Sequence, residues 1–107
     1  MRLQIQGDDR ALARAMRSYI ERRLRLALGR YVGELGQVTV RVADAALHRR
    51  PGGGCRVRAE LVPSRRLVEH EVDDPCLFSA VDAAVERTGR SVRRAVARGE
   101  AARGASG

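Results

Sequence analysis

Lysine and tryptophan are absent from this chain of 107 residues; phenylalanine occurs once, as Phe78, and tyrosine twice, as Tyr19 and Tyr31. So few aromatics argue against the base-stacking platforms on which many single-strand readers rely. They also oblige the core to be aliphatic. Cysteine is nearly as scarce. Cys55 and Cys76 make neither a disulfide framework nor a metal-ligand cluster, and reduced thiols are expected. No signal-like leader and no long apolar run is present, so a soluble, cytoplasmic chain without a membrane segment is expected.

Catalytic constellations are lacking too. His48 lies in a Gly/Arg loop and His70 on a predicted strand, neither at a recognisable catalytic spacing from Ser, Cys or a carboxylate. The run PGGGC is not followed by the Gly-Lys-Ser/Thr of a phosphate-cradling loop. Cys55 reads as a small core residue on a strand. Cys76, in the first turn of a predicted helix, is the one thiol placed where its pKa would fall. The expectation is a protein with no enzymatic activity, no cofactor and no metal; a thiol enzyme using Cys76 is the remote alternative.

What the chain has is arginine. All 21 of its basic residues are Arg, against 13 acidic ones, for a formal net charge of +8. That excess favours an anionic partner such as nucleic acid or an acidic surface. Arginine forks suit phosphate well. A GC-rich codon bias would give the same composition, so the absence of lysine by itself decides nothing.

Length and a hydrophobic content of 44% fit one folded domain with one core. Residues 2–6, RLQIQ, alternate as a short strand, and Asp8 or Asp9 is placed to cap a helix after it. From Ala11 to about Leu28, Leu12, Ala15, Met16, Tyr19, Ile20, Leu24 and Ala27 recur at helical steps, with Arg10, Arg14, Arg17 and Arg25 on the other side. Gly29, Gly33 and Gly36 break this helix before a second strand, VTVRV. ALHRRPGGG is a loop, expected to be the most mobile internal part. CRVRAEL is a third strand with Cys55, Val57, Ala59 and Leu61 inward; Pro63-Ser64-Arg65 is a turn; LVEHEV is a fourth strand with Val68, His70 and Val72 on one face. Asp74 and Pro75 start a second helix that runs to about Arg98. The predicted order is β-α-β-β-β-α, an α+β fold with a four-stranded sheet and two helices on one face. Residues 1–98 form the single domain, and 99–107 read as a disordered tail.

The second helix carries the sharpest signal. At about 100° per residue, Phe78, Val81, Val85, Val92 and Val96 share one arc, the expected buried stripe. Arg87, Arg90, Arg94 and Arg98 fall within about 80° of one another on nearly the opposite side, over roughly 16 Å. Arg93 lies to the side. Ordinary solvated faces mix signs, because like charges four apart repel. No acidic residue separates these arginines, which favours a face that tracks phosphates, although cations near a helix C-terminus also gain from its dipole.

With these segments in place the chain resembles a family, the ribosome hibernation-promoting factors or ribosome-associated inhibitor A proteins. MRLQIQG and ALARAMRSYIERRLRLALGRY are similar to its opening strand and helix, and VTVRV to its second strand. RRPGGGCRVRAEL is similar to a Gly-rich turn and Cys-bearing third strand of one bacterial branch. DDPCLFSAVDAAVERTGRSVRR is similar to its signature, with Phe78, Ser79, Ala80, Val81 and Asp82 filling it. The similarity spans residues 1 to 98.

The resemblance implies the same β-α-β-β-β-α fold and a protein that binds the small ribosomal subunit and its ribosomal RNA in the mRNA and tRNA channel, blocking translation under stress. No small-molecule substrate is expected; a monomer is expected, although the sequence itself does not give the oligomeric state. By position, Arg23 matches a basic family residue in the first helix, with Arg22 and Arg25 near matches, and Arg87, Arg90, Arg94 and Arg98 match basic residues in the second. Two features depart from the pattern: Phe78 stands where Tyr is usual, and the loop His48-Arg49-Arg50 differs. Longer members carry a C-terminal dimerisation domain, so ribosome dimerisation driven by this chain alone is not expected. The other reading to weigh is a general RNA-binding or RNA-chaperone module of the same fold.

Overall fold

A computed structural model describes residues 1–8, 12–44 and 52–102. Chain order is strand β1 (Arg2–Gly7), helix α1 (Arg14–Leu28), a 3₁₀ segment (Gly29–Glu34), strands β2 (Leu35–Asp44), β3 (Gly53–Leu61) and β4 (Leu67–Asp74), and helix α2 (Leu77–Ala97). The sheet runs β1-β2-β3-β4. β1 pairs parallel with β2 because α1 carries the chain back across the sheet; the remaining pairs are antiparallel. The α+β reading and its element order are borne out.

Alternation along the strands becomes two chemically different faces. One row across the inner face is Ile5, Val40, Val57 and His70; another is Leu3, Val38, Ala59 and Val68. Met16, Ile20, Leu24 and Leu28 of α1 join Val81, Ala84, Val85 and Val92 of α2 on this layer as one aliphatic core. Each fully buried Val, Leu or Ile contributes about 1.5–3 kcal/mol, enough for a core without aromatics. Thr88, the one buried polar residue among those described, returns its hydroxyl to the Ala84 carbonyl at 2.8 Å. The helices approach closely at Gly89, where a Cβ would stand 3.3 Å from both Cβ and O of Ala27.

The element ends differ from the sequence reading. Helix α1 starts at Arg14, not Ala11, with Ala13 before it and no side-chain cap; Asp8 contributes its backbone carbonyl, to Leu12 N–H at 2.9 Å. Asp9, Arg10 and Ala11 lie outside the described residues. Helix α2 starts at Leu77 with Cys76 at the cap position, because Asp74 is still in β4; its Oδ1 accepts the Cys76 N–H at 2.9 Å instead. Ala15, placed on the apolar stripe of the first helix, is exposed. Of the loop ALHRRPGGG, residues 46–51 lie outside the described residues and the last two glycines already belong to β3.

At its C-terminus α2 closes with a reversed turn at Gly99 (φ 73°), where Gly99 N–H reaches the Val96 carbonyl and Glu100 N–H the Ala95 carbonyl. Ala101 is then buried, its carbonyl accepting the Ser64 N–H of the β3–β4 turn at 2.9 Å. Of the segment read as a tail, 99–102 therefore lies against that turn, and 103–107 is outside the described residues.

Candidate nucleic-acid interface

The arginines divide by layer. On the helix-free face of the sheet, Arg56 Nε lies 3.3 Å from Glu71 and Arg58 Nε 2.9 Å from Glu69, while Arg41 Nη2 donates to Gln6 Oε1 at 3.0 Å. Cross-strand register sets these partners: Arg56 faces Glu71 and Arg58 faces Glu69. Charge on that face is largely answered within it. The helix layer is different. Among the described residues no ion pair engages Arg22 or Arg25 of α1, or Arg87, Arg93 or Arg94 of α2.

Each predicted site residue now has a place. Arg22 and Arg25 are exposed on α1. Arg23 is not free: its Nε lies 3.1 Å from Asp82 Oδ1 on α2, and it is half-buried. Arg87 and Arg94 are exposed. Arg90 is exposed but bonded through Nη1 to Glu86 at 2.7 Å, one turn earlier, so the stripe is not without an offsetting carboxylate. Arg98 Nη1 stands 3.8 Å from Glu100, whose carboxylate is held closer by Arg66, at 2.6 Å.

The stripe is also turned. Phe78, expected in the buried arc, is 44% exposed, and Val96 is only half-buried. The buried side instead takes in Ala80, Ala84, Thr88 and Ala95 beside Val81, Val85 and Val92. The buried arc is thereby centred about 60° away from the expected one. Arg94 and Arg98 lean toward β4, beside Arg66, Leu67 and Ser91. Arg90 and Arg93 lean the other way, into a groove between the helices that also takes in Leu26, Arg30 and Tyr31. Sequence reasoning left Arg30 and Arg93 aside. Arg30 follows the helix-breaking Gly29, and Arg93 projects sideways on an ideal wheel; only the crossing of α1 with α2 brings them together.

The signature residues gain a physical role. Phe78 meets Tyr19 edge to face, with ring centroids 5.0 Å apart and planes at 78°. The Tyr19 hydroxyl donates to Asp82 Oδ1, the oxygen Arg23 also approaches. That bond to a carboxylate raises the Tyr19 pKa above its ordinary value. Phe78 and Asp82, one turn apart, clasp α1 to α2.

His70 comes from β4 to the flank of α2, its Nε2 2.7 Å from Ser91 Oγ. Partial burial and then the nearby guanidiniums of Arg87, Arg94 and Arg90 lower its pKa. Burial pushes the Cys55 thiol up to about 12, consistent with a core residue. Cys76 is exposed, and hydrogen bonding from the Ser79 backbone holds its thiol below the ordinary value. Among the described residues no group of three or more His, Cys, Asp or Glu could hold a metal, and no helix is long and apolar enough to cross a membrane.

The class defined by these features is a small α+β domain with a basic two-helix layer over a charge-balanced sheet. Residues 3–99 match the family described as sigma 54 modulation protein / S30EA ribosomal protein. The chain belongs to that family, which bears out the resemblance to ribosome hibernation factors read from the sequence. The crystal structure of the Thermus thermophilus Protein Y N-terminal domain is similar at 26% identity and a TM-score of 0.71, over 88% of this chain and 98% of that one. A ribosomal subunit interface protein from Coxiella burnetii shares the fold at 14% identity and a TM-score of 0.71, over 91% and 99%. No individually curated protein matches the chain by sequence.

Proposed function

We propose that this chain is a ribosome-associated translation inhibitor of the hibernation type, which occupies the mRNA and tRNA channel of the small subunit and performs no chemistry. Family membership supports the ribosomal setting. The observation that carries the interface is the asymmetry of charge: Arg56 and Arg58 of the sheet are ion-paired within it and Arg41 bonds Gln6, whereas Arg22, Arg25, Arg87, Arg93 and Arg94 of the helix layer stand without an ion pair among the described residues. Such a face neutralises phosphates by releasing their counterions. Arg90 and Arg98 belong to the same face once RNA phosphate competes with Glu86 and Glu100. Arg23 acts mainly by holding α1 to α2.

The test is sedimentation of the protein with small subunits through sucrose gradients. The variant Arg87→Glu/Arg94→Glu should remain in the soluble fraction while keeping the wild-type circular dichroism spectrum. Normal co-sedimentation of that variant would sink the proposal. Excess duplex RNA separates the second reading: a general RNA binder is displaced from ribosomes, a channel-bound factor is not.

A further inference from the structure

The helix flank around Ser91 holds groups that an arginine stripe alone does not require. Ser91 lies four residues after Arg87 and three before Arg94, so the three side chains share one flank of α2. His70 reaches the same flank from β4 and bonds Ser91 through Nε2 at 2.7 Å. The imidazole is half-buried, with Val57 opposite it on β3.

We propose that His70, Ser91, Arg87 and Arg94 form a seat for an RNA phosphodiester in which anion binding is coupled to protonation of the imidazole. The ligand class rests on the RNA-facing reading of α2 given above; the coupling does not.

The charges around the ring supply the reason. From α2, the guanidiniums of Arg87, Arg94 and Arg90 act on the imidazole and disfavour its charged form. Carboxylates nearby are engaged by other arginines: Glu100, which shares a hollow with Ser91 and Arg94, is bonded to Arg66 at 2.6 Å. Glu69 and Glu71, its neighbours on β4, lie on the opposite face of the sheet with Arg58 and Arg56 of β3. Glu86 of α2 is bonded to Arg90. Without an anion, these charges therefore favour the neutral imidazole near pH 7. A phosphodiester between Arg87 and Arg94 reverses the local field and favours the imidazolium, with the proton drawn from solvent. Protonated Nε2–H must donate to Ser91 Oγ, which turns the serine O–H outward, free to donate to the phosphate.

The sign follows by linkage. Bound His70 has the higher pKa, so affinity sits at its baseline above that value. It rises as pH falls through the interval between the bound and free pKa values, then levels off.

The experiment measures binding of oligouridylate, whose phosphodiesters and bases do not titrate in this range, at fixed salt from about pH 7.5 to about pH 5.5. Affinity of the wild-type chain should rise about tenfold across the interval, the most that about one pKa unit of coupling gives. His70→Gln should lose that rise, and His48→Gln should keep it. Equal pH profiles for wild type and His70→Gln would overturn the coupling and leave the RNA interface standing. If oligouridylate fails to bind at every pH at low salt, the RNA reading falls, and an NMR titration of the wild-type His70 ring with sulfate decides the seat alone. A rise of the His70 pKa with sulfate supports the coupling; an unchanged pKa overturns it.

Discussion

Arg23 crosses from α1 to place Nε 3.1 Å from Oδ1 of Asp82 on α2, the oxygen that also accepts the Tyr19 hydroxyl. One carboxylate thus takes a hydrogen bond from the Tyr19 hydroxyl and an ion pair from Arg23, whose buried Nε–H makes no hydrogen bond of its own. Both partners of the ion pair are more than a third exposed, so the charge contribution is screened; the hydroxyl bond and the ring contact behind it add to the clasp. Tyr19→Phe should lower stability by about 1 kcal/mol, and Asp82→Ala, which strands the Tyr19 hydroxyl and removes the Arg23 ion pair, by about 1–3 kcal/mol. Urea midpoints at unchanged m-value would check this; a neutral Asp82→Ala would mean that the clasp is incidental.

Binding and stability should separate along the same two helices. Arg87→Glu and Arg94→Glu should leave the melting temperature nearly unchanged and weaken RNA binding, since neither residue is ion-paired among the described residues. Arg23→Ala should do the reverse. Thermal melts alongside filter binding for the three variants show which residue serves which purpose.

Salt dependence counts the phosphates neutralised. With about five contacts from the helix layer, a log–log plot of affinity against salt should have a slope of roughly −3.5 to −4.5. Removing Arg87 and Arg94 together should make the slope shallower by about 1.4 to 1.8. Substituting Arg56 and Arg58, which are paired on the sheet with Glu71 and Glu69, should leave it unaltered.

The two thiols should differ sharply toward alkylation. Cys55 is buried with its pKa pushed up to about 12, whereas Cys76 is exposed with its pKa lowered. Native protein should consume one equivalent of iodoacetamide, and the second only in denaturant. A lowered pKa means a thiolate at lower pH, so the alkylation rate of Cys76 should begin to rise at a lower pH than that of a free cysteine. Mass spectrometry of pulse-labelled protein resolves both points.

Gly7 tests the parallel β1–β2 edge. An added Cβ would lie 2.7 Å from the Val42 carbonyl oxygen and 2.8 Å from its Cγ2, in a strand held from both sides. Gly7→Ala should cost about 1–3 kcal/mol, as overpacking does. Gly29→Ala, with nothing within 4 Å of the added carbon, serves as its control by the same urea titration.

Much of this was legible from the residues in order. Period-two alternation in VTVRV and CRVRAEL placed Val38, Val40, Val42, Cys55, Val57 and Ala59 in the core, where they are buried. Helical spacing did the same for Met16, Ile20 and Leu24. Element ends were less legible: Asp74 and Pro75 look like a helix start, yet Asp74 still pairs with Gly53 in the sheet. The rotation of α2 was missed because a hydrophobic wheel ranks valine and phenylalanine above alanine. Yet Ala80, Ala84, Thr88 and Ala95 are buried alongside Val81, Val85 and Val92, while Phe78 is exposed.

By itself, then, the sequence determined the element order, the one-faced core and the basic surplus, since periodicity and composition are local properties that survive without coordinates. Which arginines remain available was decided only in three dimensions. Arg23 and Arg90 look on paper like Arg22 and Arg94. What separates each from its counterpart is one carboxylate: Asp82 across the helix seam for Arg23, and Glu86 one turn earlier for Arg90. Charge is written in the chain, but whether it is answered depends on distances of a few ångströms that only folding sets.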